Sequence, residues 1–237
     1  MRPLTFTTVL SMLICLSSCV TSWQYITLDS REVTKDTSKN FFYENDTLRL
    51  VYNYSGYEGP VWLSITNKMN KPMYVNWKKS AVIDRGYARS LFQPNVQMTG
   101  SFDARRGYVS TSGSLAGSFS LPEGMDFIPP GSTISKNPDL TVSGSPMKQP
   151  PGNPEIIKVK KVVPGLNTYK LYKFDEPSSP LQFKSYLTFM LDSDNAKEFS
   201  VSHSFYAREV MVTQYSPVYF SRYHKAGDML YVYQSKN

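Results

Sequence analysis

Cysteine and histidine are scarce in this chain of 237 residues, with two of each. Two cysteines exclude a disulfide scaffold and any multi-cysteine zinc or iron–sulfur centre. The two histidines, His203 and His224, stand too far apart to form a local metal-ligand pair. No Gly-x-Ser-x-Gly nucleophile elbow accompanies either of them. Charged residues amount to 19%, against roughly 25% in a typical globular chain. No run of 18 or more apolar residues occurs, so no segment reads as a transmembrane helix. No motif implies a cofactor or a resident metal.

Aromatic residues are abundant instead, at 14%, with 17 Tyr and 13 Phe. A chain so rich in aromatic and β-branched side chains has enough apolar surface to offset its ordering entropy, which excludes general disorder. The formal charge is +7.

The N-terminus carries an address. Met1-Arg2-Pro3 precedes an apolar stretch from Leu4 to Leu16, followed by Ser17, Ser18 and Cys19. A basic start, a short apolar core and small residues at its end make a secretory signal peptide. The core is about 13 residues, shorter than the roughly 20 needed to span a bilayer. Leu16-Ser17-Ser18-Cys19 resembles the bacterial lipobox at all four positions. That resemblance implies cleavage before Cys19, diacylglycerol on its thiol and acylation of its amine. At least two chains are needed for stable anchoring, because each buried CH₂ contributes only about 0.8 kcal/mol. Cys15 lies inside the segment that would be removed. Residues 1–18 therefore read as signal peptide, 19–40 as lipidated N-terminus and first strand or tether, and 41–237 as the folded domain.

The domain reads as strands. Leu48, Leu50, Tyr52 and Tyr54 fall on one face of a period-two run; Val61, Leu63 and Ile65 repeat the pattern after a Gly-bearing loop, so a hairpin is expected. Met73, Val75 and Trp77 alternate next, and Trp77 reads as core. Later, Leu181, Phe183, Leu187, Phe189 and Leu191 share one face, as do Phe199, Val201, His203 and Phe205. Met211–Tyr215, Pro217–Phe220 and Met229–Tyr233 are further strand candidates. No stretch keeps a helical 3.6 period over ten residues. The expected fold is all-β, an antiparallel β-sandwich of immunoglobulin-like type. Residues 100–154 read as a long Pro/Gly/Ser-rich central loop region, with eight of the sixteen prolines in 122–154.

Three segments carry a second resemblance: Phe42 to Tyr52, Asn67-Lys-Met-Asn-Lys-Pro-Met-Tyr-Val-Asn-Trp-Lys-Lys-Ser80, and Phe127-Ile-Pro-Pro-Gly-Ser132. Together they are similar to a set of uncharacterised Bacteroidota lipoproteins that share an Asn-Lys…Pro-Leu/Met-Tyr-Val/Ile-Asx-Trp-Lys-x-Ser pattern. The likeness covers roughly residues 19–135. It implies lipid anchoring and a β-sandwich, and brings no catalytic residue with it.

Candidate sites are few. His203 reads as a half-buried strand histidine bonded to a neighbour, with Ser202 and Ser204 on the opposite face. His224 reads as a surface loop residue. Asp192, Asp194, Asn195 and Glu198 read as a hairpin turn, since a calcium loop would need its central glycine and more length. Asp46-Thr47-Leu48 resembles the acceptor of Bacteroidota O-glycosylation. Across residues 148–173, six lysines face a single acid, Glu155. Lys158, Lys160, Lys161, Lys170 and Lys173 make this a candidate basic patch for acidic glycans or anionic headgroups. Nucleic acid is disfavoured, because an envelope address and the lack of any nucleic-acid motif both oppose it. The expected function is a non-enzymatic, lipid-anchored envelope protein, with the membrane as one partner and a glycan or an envelope protein as the other. The expected location is the cell envelope at the outer membrane, on its periplasmic or its surface face. Two alternatives stay open: a periplasmic accessory or assembly factor, and a glycan-active hydrolase whose two carboxylates meet only in the fold.

Overall fold

The computed structural model describes residues 22–92, 100–106, 109–115, 124–143, 150–163, 166–191, 197–219 and 226–234, with the backbone path alone for 100–106, 109–115, 158–163 and 166–168. Its strands are β1 (Ser22–Asp29), β2 (Thr34–Lys35), β3 (Phe41–Glu44), β4 (Leu48–Asn53), β5 (Gly56–Tyr57), β6 (Trp62–Asn67), β7 (Met73–Asp84), β8 (Tyr87–Ser90), β9 (Gly100–Arg106), β10 (Val109–Leu115), β11 (Met125–Ile128), β12 (Thr133–Lys136), β13 (Glu155–Val163), β14 (Leu166–Lys173), β15 (Gln182–Met190), β16 (Glu198–Thr213) and β17 (Met229–Gln234).

They form an all-β fold. A large sheet runs in the order β11-β7-β15-β16-β1-β17-β5, with β8 on β7 and the β13–β14 hairpin on β16. A smaller sheet runs β12-β6-β4-β3-β2, and β9 with β10 makes a separate hairpin. Pairing is antiparallel throughout, except between β17 and β5.

Alternation explains the small sheet. Leu48, Leu50 and Tyr52 are buried while Arg49 faces solvent; Leu63 and Ile65 are buried opposite them. The expected β4–β6 hairpin is present, with Gly59 in its loop at φ +69°. A Cβ there would lie 2.6 Å from Val142 Cγ2, so the close approach requires glycine. The two sheets meet through aromatic rings. Phe41 lies 4.9 Å from Phe205, Tyr54 lies 5.2 Å from Phe183, and Tyr52 lies 5.3 Å from Phe205, centroid to centroid. Each such pair adds about 0.5–1.5 kcal/mol beyond its buried area. Trp77 is buried, as its alternation predicts.

Two expectations need correction. The central region is less loop-like than its Pro and Gly content suggests: β9, β10, β11 and β12 all fall within 100–154. Segment 140–143 is also tied down, because Val61 N donates to Leu140 O and Val142 N to Gly59 O. Residues 144–149 of the expected loop lie outside the described residues. Pro217–Tyr219, read as strand, is a 3-10 turn, since Pro217 cannot donate to a ladder. The turn expected at 192–197 lies outside the described residues except for Lys197.

Long β16 holds the large sheet together. Along one edge it pairs with β15 (Glu198 to Tyr206) and then β14 (Glu209 to Val212); along the other it pairs with β1 (Tyr206 to Thr213). His203, Phe205 and Ala207 point into the core, but so does Val210. The register shift opposite Thr27 and Leu28 inserts the extra residue that changes parity.

Candidate functional site

The outer face of the large sheet, turned away from the core, gathers the side chains that the packing does not require. On β1 the inward set is Gln24, Ile26 and Leu28; the outward set is Trp23, Tyr25 and Thr27. Across β17, Trp23 stands opposite Tyr233 and Tyr25 opposite Tyr231; on the other side Tyr25 faces Met211. Tyr57 of β5 stands opposite Tyr231. The ring centroids of Trp23 lie 5.3 Å from Tyr233 and 5.9 Å from Tyr231, both edge-on. Tyr57 and Tyr233 are 51% and 41% exposed, so this stripe is open to solvent at its flank. Its centre is covered. The connection from β16 to β17 must cross β1, and it brings Tyr215 and Ala226 over this face. Tyr25 donates its hydroxyl to Tyr215 O at 2.9 Å and is itself buried.

Farther along the same face lies a groove of about 400 Å³. Ile83, Lys184 and Ser204 form its floor, one from each of three adjacent strands in register. Arg85, Glu176 and Gln182 form its walls. Arg85 sits in the β7–β8 turn at φ 47°, followed by Gly86 at φ 83°, and Glu176 lies in the 3-10 turn that links β14 to β15. Here β1 has ended and the edge of β16 would be unpaired. Glu32 covers it: its carboxylate accepts Ser204 N–H at 2.5 Å and Ser204 Oγ–H at 3.3 Å. Arg31 pairs with Glu176 at 3.1 Å. The groove thus offers cationic, anionic, amide and hydroxyl groups on a partly apolar floor.

His203 serves the core instead. It is 4% exposed, and its Nδ1 shares a 2.9 Å hydrogen bond with Tyr52 Oη across the two sheets. Tyr43 packs on its ring at 4.5 Å, and buried Ser185 is its register partner. Burial pushes the imidazole below its usual range, opposed by the nearby Glu32 charge. Burial likewise raises the Tyr52 phenol. This Ser–His–Tyr grouping is sealed from solvent, so no substrate reaches it. Ser202 and Ser204 take the opposite face, as the alternation predicts.

Among the described residues Asp228 is the buried carboxylate. Lys35 Nζ lies 2.7 Å from Asp228 and 3.3 Å from Asp29, and also donates to Leu28 O at 2.7 Å. The Lys35 ammonium bridges the two acids, and Arg208 supplies a second cation to Asp29 at 3.4 Å.

Of the residues singled out in the sequence, Cys19 and His224 lie outside the described residues. Lys158, Lys160 and Lys161 lie on β13; Lys170 and Lys173 lie on β14, which pairs with it. Lys173 is bound to Glu155 at 3.0 Å, and that hydrogen bond raises its ammonium above the ordinary lysine range. Thr47 is half-buried in the β3–β4 turn. Glu198, read as part of a hairpin turn, opens β16 and pairs with Lys79 at 2.7 Å. The groove residues Arg85, Glu176, Gln182 and Lys184 carry no sequence signal, because register and a turn bring them together.

The Asn67–Ser80 and Phe127–Ser132 segments converge on a structural joint. The Asn67 amide donates to Lys71 O at 2.7 Å and to Ile128 O at 3.0 Å, while its carbonyl accepts from Met69 N. Trp77 Nε1 donates to Asp126 at 2.8 Å, and Tyr74 packs on Phe127 at 5.2 Å. These two segments therefore serve turn and strand closure here. No family model, curated protein or solved structure matches this chain.

Proposed function

We propose that this chain is a lipid-anchored cell-envelope protein of the outer membrane. Cys19 would be the acylated residue, and the two sheets an immunoglobulin-like sandwich that binds without catalysing. The observation that carries the reading is the arrangement along β1. Cys19 stands three residues before Ser22, where a central strand of the large sheet begins. The groove opens near Asp29, at the other end of that strand, about 23 Å away at ~3.3 Å per residue. A domain joined closely to its anchor, with a binding groove at the remote end of its first strand, suits outward recognition. The mixture of Arg85, Glu176, Gln182, Lys184 and Ser204 over Ile83 and Pro180 fits a hydroxyl-rich glycan better than a polyanion. Likeness to Bacteroidota lipoproteins supports the same address.

Protease treatment of intact cells, with a Cys19→Ala control, tests the location. Cleavage of the wild-type protein from outside supports outward binding. Protection until the outer membrane is opened would favour a periplasmic accessory role and sink outward display. Membrane association that survives Cys19→Ala would overturn the anchor. For the groove, retention of the protein on immobilised envelope polysaccharide should fall at least tenfold in a Gln182→Ala/Lys184→Ala variant.

A further inference from the structure

The end of the large sheet nearest Cys19 combines three features that converge on one occupant. The first is reach. Two residues separate Cys19 from Ser22, so three Cα–Cα steps span at most about 11 Å in any backbone conformation. The headgroup layer of one leaflet is roughly 5–8 Å thick. Acyl chains on Cys19 would therefore keep the start of β1 within about 11 Å of the lipid glycerol level, only a few ångströms beyond the headgroup layer.

The second feature is the composition of that end. Trp23 and Tyr233 stand opposite one another there, ring to ring at 5.3 Å, and Tyr231 follows two residues farther along β17. Tyr233 is 41% exposed and Trp23 half-buried. Amphipathic rings of this kind favour the membrane–water interface, with an apolar body and a polar tip.

The third feature is charge. Lys170 of β14 stands opposite Val212 and Leu171 opposite Met211. Counting on from there, Leu166–Thr168 run past Thr213, the last residue of β16 and the register partner of Trp23. Their partner strand β13 runs with them, Lys158 opposite Thr168 and Val163 opposite Leu166. So the hairpin extends past the end of β16 at the same end of the sheet as Trp23, and its sequence carries Lys158, Lys160 and Lys161 among Val159, Val162 and Val163. No acid occurs between Glu155 and Asp175. Basic residues interleaved with valines suit anionic headgroups over an apolar layer.

We infer that this end of the molecule is a lipid-contacting surface: Trp23 and Tyr233 lie at the headgroup level, and the β13–β14 hairpin, whose sequence carries Lys158, Lys160 and Lys161, meets anionic phospholipid. The inference rests on the proposed acylation of Cys19 and adds an orientation to it. The domain is docked end-on against its own membrane, with the groove directed away.

The acylated full-length protein, reconstituted in vesicles, tests this. The vesicles contain phosphatidylcholine, with or without roughly one third phosphatidylglycerol, and lipids brominated near the headgroup as tryptophan quenchers. Trp77 is core and Trp62 lies on β6 of the small sheet, so the difference between wild type and Trp23→Phe isolates Trp23. Wild type should lose at least twice the fluorescence fraction that Trp23→Phe loses. The difference should grow in phosphatidylglycerol and shrink to its neutral-lipid value in a Lys158→Gln/Lys160→Gln/Lys161→Gln variant. Matched thermal unfolding of each variant shows that the fold is intact. Equal quenching of wild type and Trp23→Phe, with Cys19 acylation verified by mass spectrometry, overturns the docking inference and leaves the anchor standing. An unacylated Cys19 overturns the anchor and the inference with it. Quenching that ignores both phosphatidylglycerol and the lysine substitutions overturns the role of the hairpin.

Discussion

Tyr52 Oη and His203 Nδ1 lie 2.9 Å apart in the core, one on each sheet, and form a polar link between two apolar faces. The link makes stability depend on pH. Burial holds the folded-state His203 below the ~6.5 of an unfolded histidine. The unfolded chain therefore takes up this proton first as pH falls. Stability should be flat from this group above about pH 7. It should decline as pH drops through ~6.5 and stop declining once His203 charges in the folded state. Denaturant unfolding at pH 7.5 and 5.0 should show a smaller difference for His203→Gln than for wild type. An identical difference would rule out His203 as the source.

Two neighbouring tyrosines should respond oppositely to loss of the hydroxyl. Tyr52→Phe leaves Nδ1 of His203 buried without its partner and should cost about 1–3 kcal/mol. Tyr54 Oη is buried among Phe41, Phe183 and Phe205 and has no hydrogen-bond partner among the described residues. Tyr54→Phe should be neutral or stabilising by up to ~1 kcal/mol, since it removes an unsatisfied group. Chemical denaturation of both variants decides; a loss of more than ~1 kcal/mol in Tyr54→Phe would show that this hydroxyl does find a partner.

Asn67 should matter more than any exposed residue of its turn. Its side chain holds Lys71 O, Ile128 O and Met69 N together, binding the β6–β7 turn to the end of β11. Asn67→Ala should destabilise by about 2–3 kcal/mol, because one buried and two partly buried backbone groups lose partners at once. Lys71→Ala, which leaves the accepting carbonyl in place, should stay within ~0.5 kcal/mol. Similar losses in both would refute the assignment.

Lys35→Met should destabilise by about 2–4 kcal/mol, leaving Asp228 buried without its cation while Asp29 keeps Arg208. Adding Asp228→Asn should recover part of that loss. A double variant no more stable than the single one would show that Lys35 acts by packing on Phe41, 5.0 Å from its ammonium, rather than through the acids.

Alternation made much of the fold legible. The buried faces of β4, β6 and β15 follow a period of two, and each lies inward where that period puts it. Pro and Gly density in the middle of the chain predicts broken strands, yet β11 and β12 find partners on β7 and β6 despite the prolines between them. On β16 the inward parity holds from His203 to Ala207 and then shifts, because a register irregularity opposite β1 inserts a residue. Only the partner strand reveals such a bulge.

By itself the sequence determined the period of the strands, which side chains must leave water, and the short apolar stretch from Leu4 to Leu16. These depend on local spacing and on transfer from water, and neither needs the rest of the chain. Tertiary structure decided the rest. It joined Tyr52 to His203 over 151 residues, placed Lys35 between Asp29 and Asp228, and assembled the groove from three strands and two turns. It also brought the lysine-bearing hairpin to the end of the sheet where Trp23 begins. Those pairings are set by strand order and register across the sheets, and contacts between residues so distant in sequence leave no periodicity to read.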